Sequence, residues 1–397
     1  MKITNLSLAA IAVVGMMSVA SADVDMKIGG QGVLYYQTVD GWGDADLFDK
    51  GANSRANAGL QLNLNADLGN DFGIGYQETF LGSLGLENNL VGATMQTAKV
   101  NKLNSHAMTK VYLTKKIANT TLKLGRQELP KSLSPFAFTE GWNVFKNTFD
   151  AAVAINSDIP DTTLVGAYVS QSNGSLHLDP TDNVGLVDLG EFSTIGAKGA
   201  YMLTAANKSV KDVPITLSYY NLPSTDLSVV WLDVQAKKLG PVNLGVQGGM
   251  VMNDADNGND TTGMGIKVAG KAGPANITLA YTSVDDGDVA ISNVGTGIKT
   301  PLYTQMILNQ KAIKKDADTV MLKGVLPAGP GKVIAQYAMT TANEKNLNGD
   351  GNDYNELDVI YKFKALGTQM LVAYVMQDLD AKDDPNNVLR FWTRYNF

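Results

Sequence analysis

Between Ala56 and Leu68 every even position is apolar (Ala56, Ala58, Leu60, Leu62, Leu64, Ala66, Leu68), and the odd positions are Asn57, Gly59, Gln61, Asn63, Asn65 and Asp67. Side chains along a β-strand point alternately to its two faces, so this pattern describes a strand with one dry and one wet face. It recurs where Ala275, Ile277, Leu279 and Tyr281 alternate with Asn276, Thr278, Ala280 and Thr282. It recurs again where Leu357, Val359, Tyr361 and Phe363 oppose Glu356, Asp358 and Lys362. Read this way, the chain yields about 18 strands, from 25–39 through 54–68, 71–83, 104–116, 119–127, 148–157 and 194–206 to 387–397. Each is near the roughly 9 to 11 residues that a tilted membrane strand needs.

The connections alternate in length. Tight links such as Gly69-Asn70, Ile117-Ala118, Leu239-Gly240, Ala272-Gly273 and Ala365-Leu366 follow every second strand. Between them lie longer segments at 40–53, 84–103, 128–147, 172–193, 285–316 and 342–353, with 222–225 unexpectedly short. Short periplasmic turns facing long extracellular loops are the asymmetry of an outer-membrane barrel. A β-solenoid or a string of sandwiches predicts no such alternation, and no fixed repeat period is present. The expected fold is therefore all-β, a transmembrane antiparallel β-barrel of about 18 strands.

Composition fits that reading. At 44% hydrophobic and 18% charged the chain is too apolar for disorder, and after Ala22 no run of 18 apolar residues could form a membrane helix. The mean hydropathy of −0.06 is what two alternating faces average to. Residues 1–22 carry Lys2, an apolar stretch from Leu6 to Met17 and a closing Ala20-Ser21-Ala22, the pattern of a cleaved signal peptide. Residues 23–397 then form the barrel. With a net charge of −7 the chain is unsuited to nucleic acid. It has no cysteine, which removes disulfides and thiolate metal sites, and suits passage through an oxidising periplasm. Leu389, Phe391, Thr393, Tyr395 and Phe397 share one face of the last strand, and of these Phe391, Tyr395 and Phe397 carry the expected membrane-insertion signal.

A barrel this wide holds an aqueous channel, so function rests on the lumen wall and on any loop that narrows it. Strand parity turns Arg55, Lys110, Lys123, Lys198, Lys267, Lys323, Lys332, Arg390 and Arg394 inward, with the acids Asp67, Asp150, Asp233, Glu356 and Asp358. Arg126 shares parity with Leu122 and Leu124 and needs a bulge or a strand end to avoid lipid. In segment 128–147, Pro130 and Pro135 preclude a regular ladder, while Phe136, Phe138, Trp142 and Phe145 supply apolar surface to pack. Folded inward as a constriction loop, it would place Arg126, Glu128, Lys131, Glu140, Lys146 and Asp150 around the pore. The acid-rich loops, with Asp254, Asp256 and Asp260 or Asp285, Asp286 and Asp288, predict a weak cation preference.

Asp254, Asp256 and Asp260, and separately Asp350 and Asp353, have the oxygen ligands and turn glycines of a calcium site, but neither completes an EF-hand. No cofactor is required. An enzyme finds little support, because the only histidines are His106, lumen-facing on an expected strand, and His177 in a loop, and no phosphate-binding fingerprint is present. An outer-membrane adhesin or surface scaffold, binding through its loops, is the non-enzyme rival to a porin passing ions and small hydrophilic solutes.

The stretch Leu124-Gly125-Arg126-Gln127-Glu128-Leu129, continuing through Phe138-Thr139-Glu140-Gly141-Trp142-Asn143 to Asn147-Thr148-Phe149-Asp150-Ala151, resembles the major outer membrane porins of the campylobacterial type, relatives of the OprD-like porins. The resemblance implies an 18-stranded barrel, often a homotrimer, set in a lipid bilayer beside lipopolysaccharide, with the third loop as constriction. OprD-like relatives use a basic lumen ladder for carboxylates, a ladder that this sequence does not match residue by residue.

Overall fold

The computed structural model describes residues 25–41, 46–51, 53–83, 85–86, 91–98, 104–174, 176–179, 184–342, 353–379 and 384–397. The expected signal segment 1–22 and Asp350 lie outside them. Among the described residues the barrel strands, in chain order, are β1 Met26–Asp40, β2 Ser54–Gly69, β3 Phe72–Gly82, β4 Asn104–Ile117, β5 Thr120–Gln127 and β6 Phe149–Asn156. Next come β7 Thr162–Ser172, β8 Ala200–Asn207, β9 Ile215–Leu222, β10 Leu227–Leu239, β11 Val242–Asn253 and β12 Thr261–Ala272. The last six are β13 Ala275–Val284, β14 Ala317–Ala328, β15 Gly331–Ala342, β16 Tyr354–Ala365, β17 Thr368–Leu379 and β18 Asn386–Asn396.

Every strand pairs antiparallel with its neighbours in sequence. The ring closes where β1 meets β18, from Gln31 opposite Asn396 to Asp40 opposite Asn387. Closure is required because hydrocarbon offers no partner to the N–H and C=O groups of a free edge. The alternation along residues 56–68 sorts by face as expected: Leu60 and Leu62 are exposed to the outside, whereas Asn57 and Gln61 are buried. The tight turns are true two-residue hairpins. Between β16 and β17, Leu366 and Gly367 both have positive φ (52° and 73°), the condition for the turn that matches strand twist.

Three local departures matter. The strand expected over 194–206 begins only at Ala200; Ser193–Thr194 pairs briefly with Gln171 and Ser172, and Gly196 and Gly199 then take positive φ, which no extended run can contain. A bulge where Gln77 and Glu78 face Lys110 and Met108 skips Thr109 and reverses parity along β4. Lys110 keeps its inward place, but His106, expected in the lumen, turns outward to Glu78, its Nδ1 2.9 Å from Oε1. Finally, loops 2 and 4 build a small sheet of their own, in which Gln96–Thr97 runs beside Val184–Asp188 and that strand pairs with Leu176–Asp179.

The largest buried apolar cluster lies inside the barrel. Phe136 packs on Tyr220 and Trp231 with ring centroids 5.7 and 5.3 Å apart, in one cluster with Ile291, Leu302 and Ile313. A second cluster joins Phe145 to Val33, Tyr35, Leu81 and Met95. Both are built by loops folding back between the walls.

Candidate pore constriction

Loop 3, between Gln127 and Phe149, crosses the lumen with an aromatic foot at each end. Phe136 stands on β8–β10 and Phe145 on β1–β3. The Pro130 and Pro135 positions, where a ladder cannot run, are instead closed by short turns: Leu133 N–H donates to the Pro130 carbonyl and Ala137 N–H to Ser134. Thr139 and Leu129 then staple the loop to itself, Thr139 N–H donating to Leu129 O at 2.8 Å and Leu129 N–H to Thr139 Oγ1 at 3.0 Å. Gln96 of loop 2 exchanges two bonds with the Phe145 backbone (2.7 and 3.1 Å) and fixes the second foot.

Several of the sequence-selected residues come together here. Glu128 bridges Lys110 on β4 and Lys146 of the loop, the latter at 3.0 Å. Burial pushes the Glu128 carboxyl up, but the two ammonium groups more than reverse this and hold it below the ordinary value. Lys123 lies over the Tyr112 ring at 3.8 Å, close to the same group. On the adjoining wall Arg390 donates twice to Gln37 Oε1 (3.0 and 2.8 Å), and Arg394 donates to Gln31 Oε1 and to the Asn143 carbonyl of loop 3. Arg55 faces inward from β2, on the side of Asn57 and Gln61.

Two of the selected residues stand elsewhere. Arg126 and Asp150 form a bidentate pair (2.9 and 3.1 Å), but strand parity sets them with Leu124 and Ala152 on the outer wall, not in the pore. Arg126 is the penultimate residue of β5, follows Gly125 at φ 117°, donates to the Met108 carbonyl and is covered by the Phe192 ring at 3.4 Å. Pairing, a strand end and an aromatic cover together let a guanidinium sit on that face. Glu140 lies within the folded loop and is buried there, away from the lumen surface.

Loop 7, between Val284 and Ala317, is the partner that sequence reading missed. It too folds inward: Val294 N–H donates to the Phe136 carbonyl at 2.7 Å and Lys131 Nζ to the Thr300 carbonyl at 2.8 Å. Its far limb hangs on the wall, with Leu308 N–H donating to Glu356 Oε1 at 2.9 Å and Ile307 N–H to Asp358 Oδ2 at 3.3 Å. Lys299 Nζ donates to the Met306 and Ile307 carbonyls. Burial lowers the pKa of this ammonium against the pull of Glu356, Glu140 and Asp358. The apolar residues Val289, Ile291, Val294, Ile298 and Leu302 were the available signal, since a loop that stays in water has no use for them.

Between the loops and strands β10–β12 lies a cavity of about 490 Å³ lined by Lys131, Trp231, Asp233, Gln247, Lys267 and Tyr303. Enclosure within the lumen lowers the Lys131 ammonium to about 8; Lys267 adds to this, and Glu140 and Asp233 oppose it. Tyr303 donates to Asp233 at 2.7 Å, and the Lys267 ammonium rests on its ring.

Of the calcium candidates, Asp254, Asp256 and Asp260 lie among the described residues, where Asp260 accepts the Asn253 N–H as a turn cap and no three acidic or histidine groups gather as a metal site. The candidate at Asp350 and Asp353 falls on Asp350, outside the described residues.

A family model described as Gram-negative porin matches residues 7–384. No curated protein matches the chain. Pseudomonas aeruginosa OpdK, solved with vanillate, shares the fold at a TM-score of 0.74 and 13% identity, over 94% of this chain and 98% of that one. OprE of the same organism gives 0.70 and 14% over 94% and 98%, and OpdP 0.68 and 12% over 94% and 91%. A closed barrel, loops drawn into its lumen and a family match along nearly the whole chain lead to one conclusion: the protein belongs to the Gram-negative porins, outer-membrane channels for small solutes and not enzymes.

Proposed function

We propose that this porin passes ions and small hydrophilic solutes with a weak preference for cations, through a path narrowed by loops 3 and 7 together. The observation that carries the constriction is loop 3 itself, anchored across the lumen at Phe136 and Phe145 with Glu128, Lys131 and Lys146 along it. Cation preference is supported by exposed acids at the extracellular end, Asp254, Asp256, Asp260, Asp285, Asp286 and Asp288. The inward lysines and arginines oppose it, so the preference is small. The zero-current potential of the purified protein across a KCl gradient tests it, and an anion-signed potential would overturn it.

Finer kinship with the campylobacterial major porins rests on the 124–151 motif, and export through a cleaved signal on residues 1–22. A homotrimer is supported by half-buried polar pairs on the outer wall, Glu78 with His106 and Arg126 with Asp150, which a protein neighbour accommodates better than acyl chains. Native mass spectrometry from detergent reads the subunit number directly; a single-chain mass would sink the trimer.

A further inference from the structure

We infer that Glu140 is the positioning residue that clamps loop 3 to loop 7, fixing the bore of the channel without lining it. This rests on the reading that the two loops form the constriction. Glu140 is 5% exposed. Its Oε1 accepts from three donors of loop 7: Asn293 Nδ2 at 2.8 Å, Thr296 Oγ1 at 2.5 Å and the Lys299 backbone N–H at 3.1 Å. Its Oε2 accepts from Trp142 Nε1 of its own loop at 2.6 Å, and its backbone N–H donates to Asn147 Oδ1 at 2.6 Å. One carboxylate thus gathers four donors from two loops that lie more than 150 residues apart in sequence.

Position in the network turns this from a local bond into a mechanical one. The turn that Glu140 holds, 293–299, leads through Lys299 Nζ to the Met306 and Ile307 carbonyls. The 307–308 segment is in turn hung on Glu356 and Asp358 of β16. Between β5, where loop 3 begins, and β16, Glu140 joins the loop 3 half of the bridge to the loop 7 half with three bonds to one oxygen. Beside it stand the single contacts of Val294 with Phe136 and Lys131 with Thr300, and the pair of bonds between Asn293 and the Phe138 backbone. A glutamine cannot replace it. Its single carbonyl oxygen has two lone pairs for three donors, and its NH₂ would face the Trp142 N–H, donor against donor. Loss of the negative charge also removes one of the groups that keep the buried Lys299 ammonium charged.

The test is single-channel recording of the full-length protein in planar bilayers, in KCl. In Glu140→Gln the clamp opens: unit conductance rises and subconductance steps appear, while the reversal potential in a KCl gradient stays where it was, because the carboxylate never faced the path. Glu140→Asp, which keeps the charge, restores much of the quiet trace. Thr296→Val and Asn293→Leu remove donors from the loop 7 side and reproduce the noise with loop 3 unaltered, which keeps the inference testable if Glu140→Gln does not assemble. A shifted reversal potential at unchanged conductance would make Glu140 a lining residue and overturn the clamp, as would wild-type traces from both loop 7 variants. Excising 292–313, whose flanks are joined by the Ile291 N–H to Lys314 carbonyl bond at 2.8 Å, separates the two ideas. If the excised barrel conducts no more than the intact one, the two-loop constriction itself fails. If it conducts more and Glu140→Gln does not, only the clamp fails.

Discussion

At the scale of single residues, parity decided which charges face water, and one skipped residue could reverse it. Lys110 and His106 share even numbering, yet the bulge at Thr109 sends one inward and the other out. No local sequence signal marks that bulge, so inward placement was legible for Lys110, Lys123, Arg390 and Arg394 and not for His106; Asp150 turns outward for another reason, since Phe149, Ala151 and Val153, which alternate with it, are buried in the apolar cluster inside the barrel. Arg126 shares parity with Leu124, a conflict visible in the sequence, and the structure resolves it on the outer wall. Arg126→Gln should therefore leave conductance and reversal potential unchanged while lowering thermal stability, by about 1 to 3 kcal/mol for lost hydrogen bonds to charged groups. Thermal melting beside bilayer recording checks both halves. Lys131 behaves oppositely, since its stem is exposed and its ammonium lines the cavity between the loops. With its ammonium lowered to about 8, it carries a positive charge at pH 7 and has lost most of it by pH 9. Cation preference should then rise with pH across that window, and Lys131→Gln should show the high-pH preference throughout. A reversal potential flat from pH 7 to 9 in the wild type would contradict this.

At the scale of elements, strands were far easier to read than loops. A strand that faces lipid on one side and water on the other must alternate, so its limits are written in the sequence; a loop's path depends on what it meets across the barrel. Hence β2 was legible to within a residue, whereas the inward fold of loop 7 was not, although its apolar content hinted at a covered surface. The start of β8 was misplaced because glycines at 196 and 199 are equally at home in strands and turns until a φ value is known. The seam offers a sharp test. Gly30 N–H donates to the Phe397 carbonyl at 2.9 Å, and Phe397 N–H returns to Gly30 O at 3.1 Å. A Cβ at Gly30 would meet the Phe397 ring and stand 2.5 Å from the Gln61 carbonyl oxygen, whereas one at Gly32 meets nothing within 4 Å. Gly30→Val should thus block closure, seen as loss of the fast-migrating unboiled band on a gel, and Gly32→Val should fold normally. Equal folding of the two would show that the last residue does not need that gap.

At the scale of the whole molecule, two opposing fields share one pore. The lumen wall carries inward lysines and arginines, many committed to neighbours, as Arg390 is to Gln37 and Lys110 to Glu128. The extracellular end carries acids that project into solvent, Asp254 and Asp256 among them. Exposed charges act through water and are screened within a Debye length, about 30 Å at 0.01 M salt, about 10 Å at 0.1 M and about 3 Å at 1 M. Charges held against a permeating ion in a narrow passage act at contact and are screened far less. If the acidic mouth sets the proposed cation preference, reversal potentials taken at a fixed KCl ratio should be most cation-signed in dilute salt and should approach zero near 1 M. Replacing Asp254, Asp256 and Asp260 together by Asn should lower the dilute-salt value toward the concentrated-salt one without changing unit conductance at 1 M. A preference that persists at 1 M and ignores those substitutions would move the origin of selectivity from the mouth to the groups around loop 3.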